Sequence, residues 1–382
     1  VIFINFLILI SCQNPEEIKS NSSDTLFKLL DNSESGIDFT NTVINQKDFN
    51  IFKYRNYYNG GGVAIGDINN DSLPDIYFTS NTGNNKLYLN NGDLEFIDIS
   101  SKAGVEGDKP WSTGVVMVDI NHDGFLDIYV SNAGNMEGDN HDNDLYINNG
   151  DLTFTESAEN YNIAKTGFTT HSSFFDYDKD GDLDLYILNN SNIPVTSLGY
   201  SEQRDLRAQD WKNVPKIFRG VGDMLLRNDN GRFIDVSEKA GIYGSLIGFG
   251  LGVMTSDINM DGYPDIYVSN DFYERDYLYI NNQDGTFTEQ IQNWTSHLSL
   301  SAMGVDIADI NNDGLVDIFV TDMLPEEDSR VKSVMEFEGY NVFSPWFPRI
   351  KSMSLSPSRS DDSIASQIPL KVLKLLCTFF NW

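Results

Sequence analysis

The stretch DINHDGFLDIYVSNA, residues 119–133, holds two patterns back to back. Its first nine positions carry acids or amides at 1, 3, 5 and 9, with glycine at 6. A tight loop turns alternate side chains toward one centre, and glycine permits the bend. The residues that follow are apolar, β-branched or aromatic and end in Asn132, which reads as a short strand.

The stretch recurs four more times: DINNDSLPDIYFTSN from Asp67, DYDKDGDLDLYILNN from Asp176, DINMDGYPDIYVSND from Asp257 and DINNDGLVDIFVTDM from Asp309. The starts lie 52, 57, 81 and 52 residues apart. Five residues before the first Asp stand Gly62, Gly114, Gly252 and Gly304, with His171 in the third copy. A second strand ends in an Asn/Gly turn in each complete unit (KLYLNNG, DLYINNG, MLLRNDNG, YLYINNQDG), and a third follows. Four short strands in about 50 residues is the size of one β-propeller blade, whose two faces can be buried only against neighbours. The expected fold is an all-β propeller of four-stranded antiparallel blades over residues 36–340. The long third interval holds a charged insertion at about 191–220.

The loops predict metal sites. The proposed ligands are Asp67, Asn69, Asp71 and Asp75; Asp119, Asn121, Asp123 and Asp127; Asp176, Asp178, Asp180 and Asp184; Asp257, Asn259, Asp261 and Asp265; Asp309, Asn311, Asp313 and Asp317. Position 7 would add a carbonyl, and the Asp at 9 would close the shell with both oxygens. About six or seven oxygen ligands suit Ca²⁺ better than octahedral Mg²⁺, and the lack of His and Cys argues against zinc and copper. An EF-hand fits poorly: position 12 is Phe78, Val130, Ile187, Val268 or Val320 instead of Glu, and strands flank the loop. Gly124, Gly181, Gly262 and Gly314 occupy position 6, whereas the first loop has Ser72 and should bind weakest.

The segments resemble the FG-GAP repeats of integrin-α-type propellers, in the variant called VCBS repeats. The runs from Phe96 to Val105 and from Phe233 to Ile242 are similar to the F-x-D-V-T-x-x-A-G-[VI] segment of the cartilage-acidic-protein-like, ASPIC/UnbV-associated branch. The resemblance covers about residues 36–340. It implies structural calcium, up to five ions, and a propeller that usually has seven blades.

Composition agrees. There are 57 Asp+Glu against 26 Lys+Arg, a net charge of −31, and five Ca²⁺ would bring that to −21. Such a surface repels phosphate backbones, so nucleic acid is not an expected partner. Residues 1–11, VIFINFLILIS, are apolar and too short to span a bilayer, and they precede Cys12. Leu9-Ile10-Ser11-Cys12 resembles a bacterial lipobox, which makes Cys12 a lipidation site, residues 1–12 a signal and 13–35 a tether. The acids after Cys12 suggest a surface-exposed outer-membrane lipoprotein that meets the membrane through its lipid alone. At the other end, residues 341–382 break the repeat and turn basic. They read as a truncated or frameshifted end, the alternative being an extension with a helix over Pro369 to Phe380.

No catalytic motif is present. His122, His141, His171 and His297 form no triad or metal pattern, and Gly60-Gly61-Gly62 precedes a strand, so it reads as a close blade contact instead of a phosphate cradle. The leading expectation is a non-enzymatic, surface-anchored propeller for adhesion to, or recognition of, an extracellular protein or glycan. The alternatives are a propeller-scaffolded enzyme acting on polysaccharide or phospholipid, and a fragment of a longer chain. The enzyme reading points to Arg204, Arg207 and Trp211 in the insertion. As an insertion away from the blades, Arg204 and Arg207 should be dispensable for stability.

Overall fold

A computed structural model describes residues 27–47, 49–133, 141–191, 207, 220–244, 246–271, 274–299, 301–322 and the backbone of 372–375. The apolar leader, Cys12, most of the tether, most of the insertion and most of the tail lie outside the described residues.

The described residues are all-β, and each repeat is one sheet. The first is β1 (Val63–Gly66), β2 (Asp75–Phe78), β3 (Lys86–Asn90) and β4 (Phe96–Asp98). The second is β5 (Ser112–Val118), β6 (Asp127–Asn132), β7 (Asp144–Asn148) and β8 (Phe154–Glu156). The third is β9 (Thr169–Phe175), β10 (Asp184–Asn189), β11 (Met224–Asn228) and β12 (Phe233–Asp235). The fourth is β13 (Gly250–Ser256), β14 (Asp265–Asn270), β15 (Tyr277–Asn281) and β16 (Phe287–Glu289). The fifth has β17 (Ala302–Ala308), β18 (Asp317–Asp322) and β19 (Val372–Leu375). The four complete sheets are antiparallel meanders in chain order. The insertion falls between β10 and β11.

Alternation explains how the blades stack, because successive side chains point to opposite faces. All six residues of β6 are buried. Ile128 and Val130 pack with Ala64, Tyr77 and Leu87 of the first blade, and Tyr129 packs with Leu185, Leu226 and Phe233 of the third. The first strands β1, β5, β9, β13 and β17 lie side by side in that order. Glycine sets their spacing: a Cβ on Gly62 would lie 2.6 Å from the Thr113 carbonyl oxygen, and one on Gly114 would lie 2.5 Å from His171 Nδ1. His171 thus fills the space that Gly114 leaves, and burial lowers its pKa.

Two features differ from the sequence expectation. Single helical turns, Ser100–Ala103, Ala158–Tyr161 and Ile291–Trp294, follow the fourth strands of three blades. They are local devices too short for periodicity to reveal: Ser100 N–H and Oγ–H donate to Asp98 Oδ1 at 2.9 and 2.5 Å, while Ser100 Oγ accepts Leu87 N–H at 2.8 Å. None flanks an acidic loop. In the tail, Val372–Leu375 is a strand paired parallel with β18, not part of a helix.

The N-terminal segment belongs to the fold. Phe39 stacks on Phe78 at 4.9 Å, and Tyr88 Oη–H donates to Asp38 Oδ1 at 2.8 Å. Phe49, Tyr54 and Tyr57 then surround Trp111 at ring distances of 4.8–5.5 Å. Trp111 precedes β5, whereas the acidic loop follows it, so this aromatic cluster sits at the opposite ends of the strands from the loops.

Candidate metal centres

Each acidic loop closes the hairpin between a blade's first two strands, with one register throughout. Gly66 pairs with Asp75, Val118 with Asp127, Phe175 with Asp184, Ser256 with Asp265 and Ala308 with Asp317. The Asp at position 9 is therefore a strand residue. Asp75, Asp127, Asp184 and Asp265 are 0 % exposed and Asp317 is 8 % exposed.

Burial is possible because, in the four complete blades, both oxygens accept backbone N–H groups. One accepts from position 2: Ile68, Ile120, Tyr177, Ile258 and Ile310 donate at 2.9–3.2 Å. The other accepts from the end of the third strand: Asn90, Asn148, Asn228 and Asn281 each donate at 2.8 Å. Position 9 is first a staple between three chain segments, before any ligand role. Burial pushes Asp127 up to about 6; the bonds from Asn148 and Ile120 hold it down, and Asp123 and Asp119 push it further up. Burial likewise raises Asp184 to about 7 and Asp265 to about 6, with Asp178 and Asp180, and Asp261, adding to it.

Positions 1 and 5 fold the loop. Asp119 Oδ1 accepts Asp123 N–H at 3.1 Å, Asp119 Oδ2 accepts Gly124 N–H at 2.9 Å, and Asp123 Oδ1 accepts Phe125 N–H at 2.9 Å. Asp67 with Asp71, Asp257 with Asp261, and Asp309 with Asp313 repeat the pattern. Two left-handed residues bend the chain. Position 6 has φ between +71° and +97°, where Gly is natural and Ser72 is strained. A Cβ at Gly124, Gly181, Gly262 or Gly314 would meet nothing within 4 Å, so φ alone demands glycine. Position 4, which the motif leaves free, is left-handed too: Asn70, His122, Lys179, Met260 and Asn312 have φ of +57° to +64°.

The third loop differs from the rest. In the first, second and fourth loops the position-3 amide donates to the position-5 carboxylate, Asn69 to Asp71, Asn121 to Asp123 and Asn259 to Asp261, at 2.8–2.9 Å. In the fifth, Asn311 Nδ2 reaches Asp317 Oδ2 at 3.5 Å. Asp178 cannot donate so. Among the described residues, oxygens of Asp176, Asp178 and Asp184 converge to within 4.8 Å of one another. Asp176 Oδ1 and Asp178 Oδ1 are buried without a hydrogen bond. Burial and the charges of Asp180 and Asp176 raise Asp178. Asp180 lies outside this cluster and accepts Asp182 N–H at 2.9 Å. Such a group of acids, short of donors, is stable when a hard cation replaces the missing hydrogen bonds.

Sequence reasoning missed the asparagines that end the third strands. Besides capping the position-9 Asp, Asn148 Nδ2 donates to the Ile68 carbonyl, and Asn281 Nδ2 to the Tyr177 carbonyl, each in the preceding blade's loop. Their constant place in KLYLNNG, DLYINNG and YLYINNQDG was the available signal. The expectation for Arg207 needs correction. Its side chain is buried, donates to the Ile242 carbonyl and packs over Gly244, so it is part of the fold. Arg204 and Trp211 lie outside the described residues.

Blades that carry such acidic loops at the strand 1–2 turn define a repeat protein, and comparison with known proteins says which repeat it is. The FG-GAP-like repeat matches residues 67–130, 133–187 and 257–320, which together include all five loops. The chain thus carries FG-GAP-like repeats and is similar in sequence to cartilage acidic protein 1. It is 34% identical over 137 residues to that of Xenopus tropicalis, covering 35% of this chain and 20% of the relative. It is 29% identical over 218 residues to that of Homo sapiens, covering 56% and 28%. The chain spans less than a third of the length of these relatives. A lectin of Agrocybe aegerita, described as specifically recognising non-reducing terminal N-acetylglucosamine, is 18% identical with a TM-score of 0.35 over 67% of this chain and 59% of that one, a likeness that carries no argument here.

Proposed function

We propose that this chain is a calcium-stabilised propeller module for adhesion or recognition outside the cell, held at a membrane surface by lipid on Cys12, and not an enzyme. The observation that carries the calcium reading is the third loop, with converging oxygens of Asp176, Asp178 and Asp184 and two buried oxygens that accept nothing. In each loop the chain would supply carboxylate and amide oxygens; the ion would neutralise them and tie β9 to β10, or its counterparts, from the turn. Homology to cartilage acidic protein 1 supports an extracellular role. A protein or a glycan is the partner this reading implies.

The test is a melting curve with calcium, with magnesium and with chelator. An ion that binds only the folded chain adds about 2.7 kcal/mol per independent site at 100-fold excess over Kd. Calcium should raise the melting temperature by several degrees and magnesium by much less. If chelator leaves the melt unchanged, the calcium reading fails. Anchoring is tested separately: Cys12→Ser should move the protein from the membrane to the soluble fraction, and equal fractionation of the two forms would exclude a lipid there.

A further inference from the structure

Among the described residues, every non-glycine residue with a left-handed backbone except one has a local cause. Asn70, Ser72, His122, Lys179, Met260 and Asn312 bend acidic loops; the hairpin turns and a helix cap account for the others. The exception is Trp111, at φ +65°. A bulky residue adopts that conformation only when its surroundings impose it, and such residues gather where function needs a fixed side chain. Here the surroundings are plain. Trp111 N–H donates to the Asn81 carbonyl at 3.1 Å, its carbonyl accepts Ala133 N–H at 3.0 Å, and three aromatic rings enclose the indole.

The held indole, 3 % exposed, is among the residues that line a cavity of about 290 Å³ at the blade end away from the acidic loops. Gln46 and Phe49 of the N-terminal segment, Thr82 and Gly83 of the β2–β3 turn, and Lys109 and Pro110 complete most of its wall. Asn81, also in the lining, is committed elsewhere. Its Nδ2 donates to the Gly60 and Ser112 carbonyls at 3.0 Å each, and its Oδ1 accepts from Asn41 at 2.8 Å. Three groups keep capacity. Trp111 Nε1–H and the Gln46 amide have no hydrogen-bond partner among the described residues. Thr82 Oγ1 donates to the Thr42 carbonyl and can still accept. Lys109 pairs with the buried Asp144, so the cavity carries no net charge from that pair.

We propose that this cavity binds a neutral sugar ring, the terminal residue of an extracellular glycan. This rests on the extracellular recognition reading and gives it a site. A pyranose offers apolar C–H faces beside hydroxyls that both donate and accept. Phe49, Pro110 and Trp111 provide the apolar walls, the indole and Gln46 donate, and Gln46 and Thr82 accept. An acidic ligand fits badly, because Asp144 already neutralises Lys109 and the whole chain carries −31. The volume lies at the low end of small-molecule sites, about 300–1,000 Å³, which favours one ring over a long chain.

The test is a fluorescence and saturation-transfer titration of the calcium-loaded chain with four methyl glycosides, those of glucose, galactose, mannose and N-acetylglucosamine. Methyl glucuronide serves as the acidic control. At least one neutral glycoside should bind, and the glucuronide should not. Gln46→Ala, at an exposed position, and Trp111→Phe, which keeps the ring and removes the N–H, should each weaken binding about 3- to 10-fold, the loss of one hydrogen bond. Gln46→Ala decides if Trp111→Phe folds poorly. Binding unaffected by Gln46→Ala would place the glycan elsewhere and overturn this site while leaving recognition standing. Binding of the glucuronide as tight as that of its neutral counterpart would overturn the ligand class. If no glycoside binds, the site falls, while the calcium-dependent melt still judges the module itself.

Discussion

Buried carboxylates occur at both ends of the blades, and the two ends use them differently. At the loop end, Asp127 and Asp184 each accept two backbone N–H groups and Asp265 accepts three, in the company of further acids. At the far end, Asp223 accepts Asn189 N–H at 3.0 Å and Tyr186 Oη–H at 2.9 Å, and Asp276 accepts Asn270 N–H and Tyr267 Oη–H at 2.8 Å each. The equivalent positions in the first two blades are amides: Asn85 accepts Ser80 N–H, and Asn143 accepts Asn132 N–H while donating to Tyr129. An amide serves there as well as an acid, so the charge is incidental. At position 9 all five copies are Asp. Charge at the loop end is kept where charge at the far end is not, and the proposed calcium ion would be its use.

The sharpest way to break this contrast is to remove a staple. Asp184→Ala leaves Tyr177 N–H and Asn228 N–H buried without acceptors. Unfolding by urea should show a loss of about 2–5 kcal/mol in chelator, and a larger loss with calcium, because the third-loop site goes as well. A loss confined to calcium would mean that position 9 is only a ligand.

A second substitution probes the far end. Burial, against the bonds from Asn270 and Tyr267, pushes Asp276 up to about 7. A raised acid is stabilising in its protonated form; that contribution is complete below about pH 4 and is lost as pH rises through about 7. Asp276→Asn copies Asn143. It should stabilise the protein by about 1–4 kcal/mol at pH 8 and reduce the fall in stability between pH 4 and 8, read as the difference from the wild type in chelator. Equal pH profiles would show that Asp276 is ionised without cost.

The smallest effect concerns Ser72. Ser72→Gly relieves its φ of +71° and should add up to about 1 kcal/mol to chemical unfolding, with a tighter first loop. Destabilisation would mean that the Ser hydroxyl or the lower entropy of the unfolded chain outweighs the strain.

Much of this was legible in the sequence. Acids at 1, 3, 5 and 9 located the loops, and alternation in IYVSN and LYINN located the strands, because both patterns are local. What stayed hidden depends on distant partners. Asp223 and Asn143 occupy one structural place, yet only burial against Tyr186 turns the acid into a cost. Trp111 looks ordinary until its backbone angle is seen, and its conformation is fixed by Asn81 and by Phe49, 62 residues away. Arg207 reads as dispensable for stability because nothing local announces its contact with Ile242.

The five proposed calcium sites should differ in strength, the third being the tightest. The most direct test is a calorimetric calcium titration of the chelator-stripped chain and of Asp178→Asn, which gives the third loop the amide found in the other four. The wild type should show one site tighter than the rest, and in the variant that site should weaken to the level of the other four. Identical isotherms, or no heat of binding from either protein, would contradict the account.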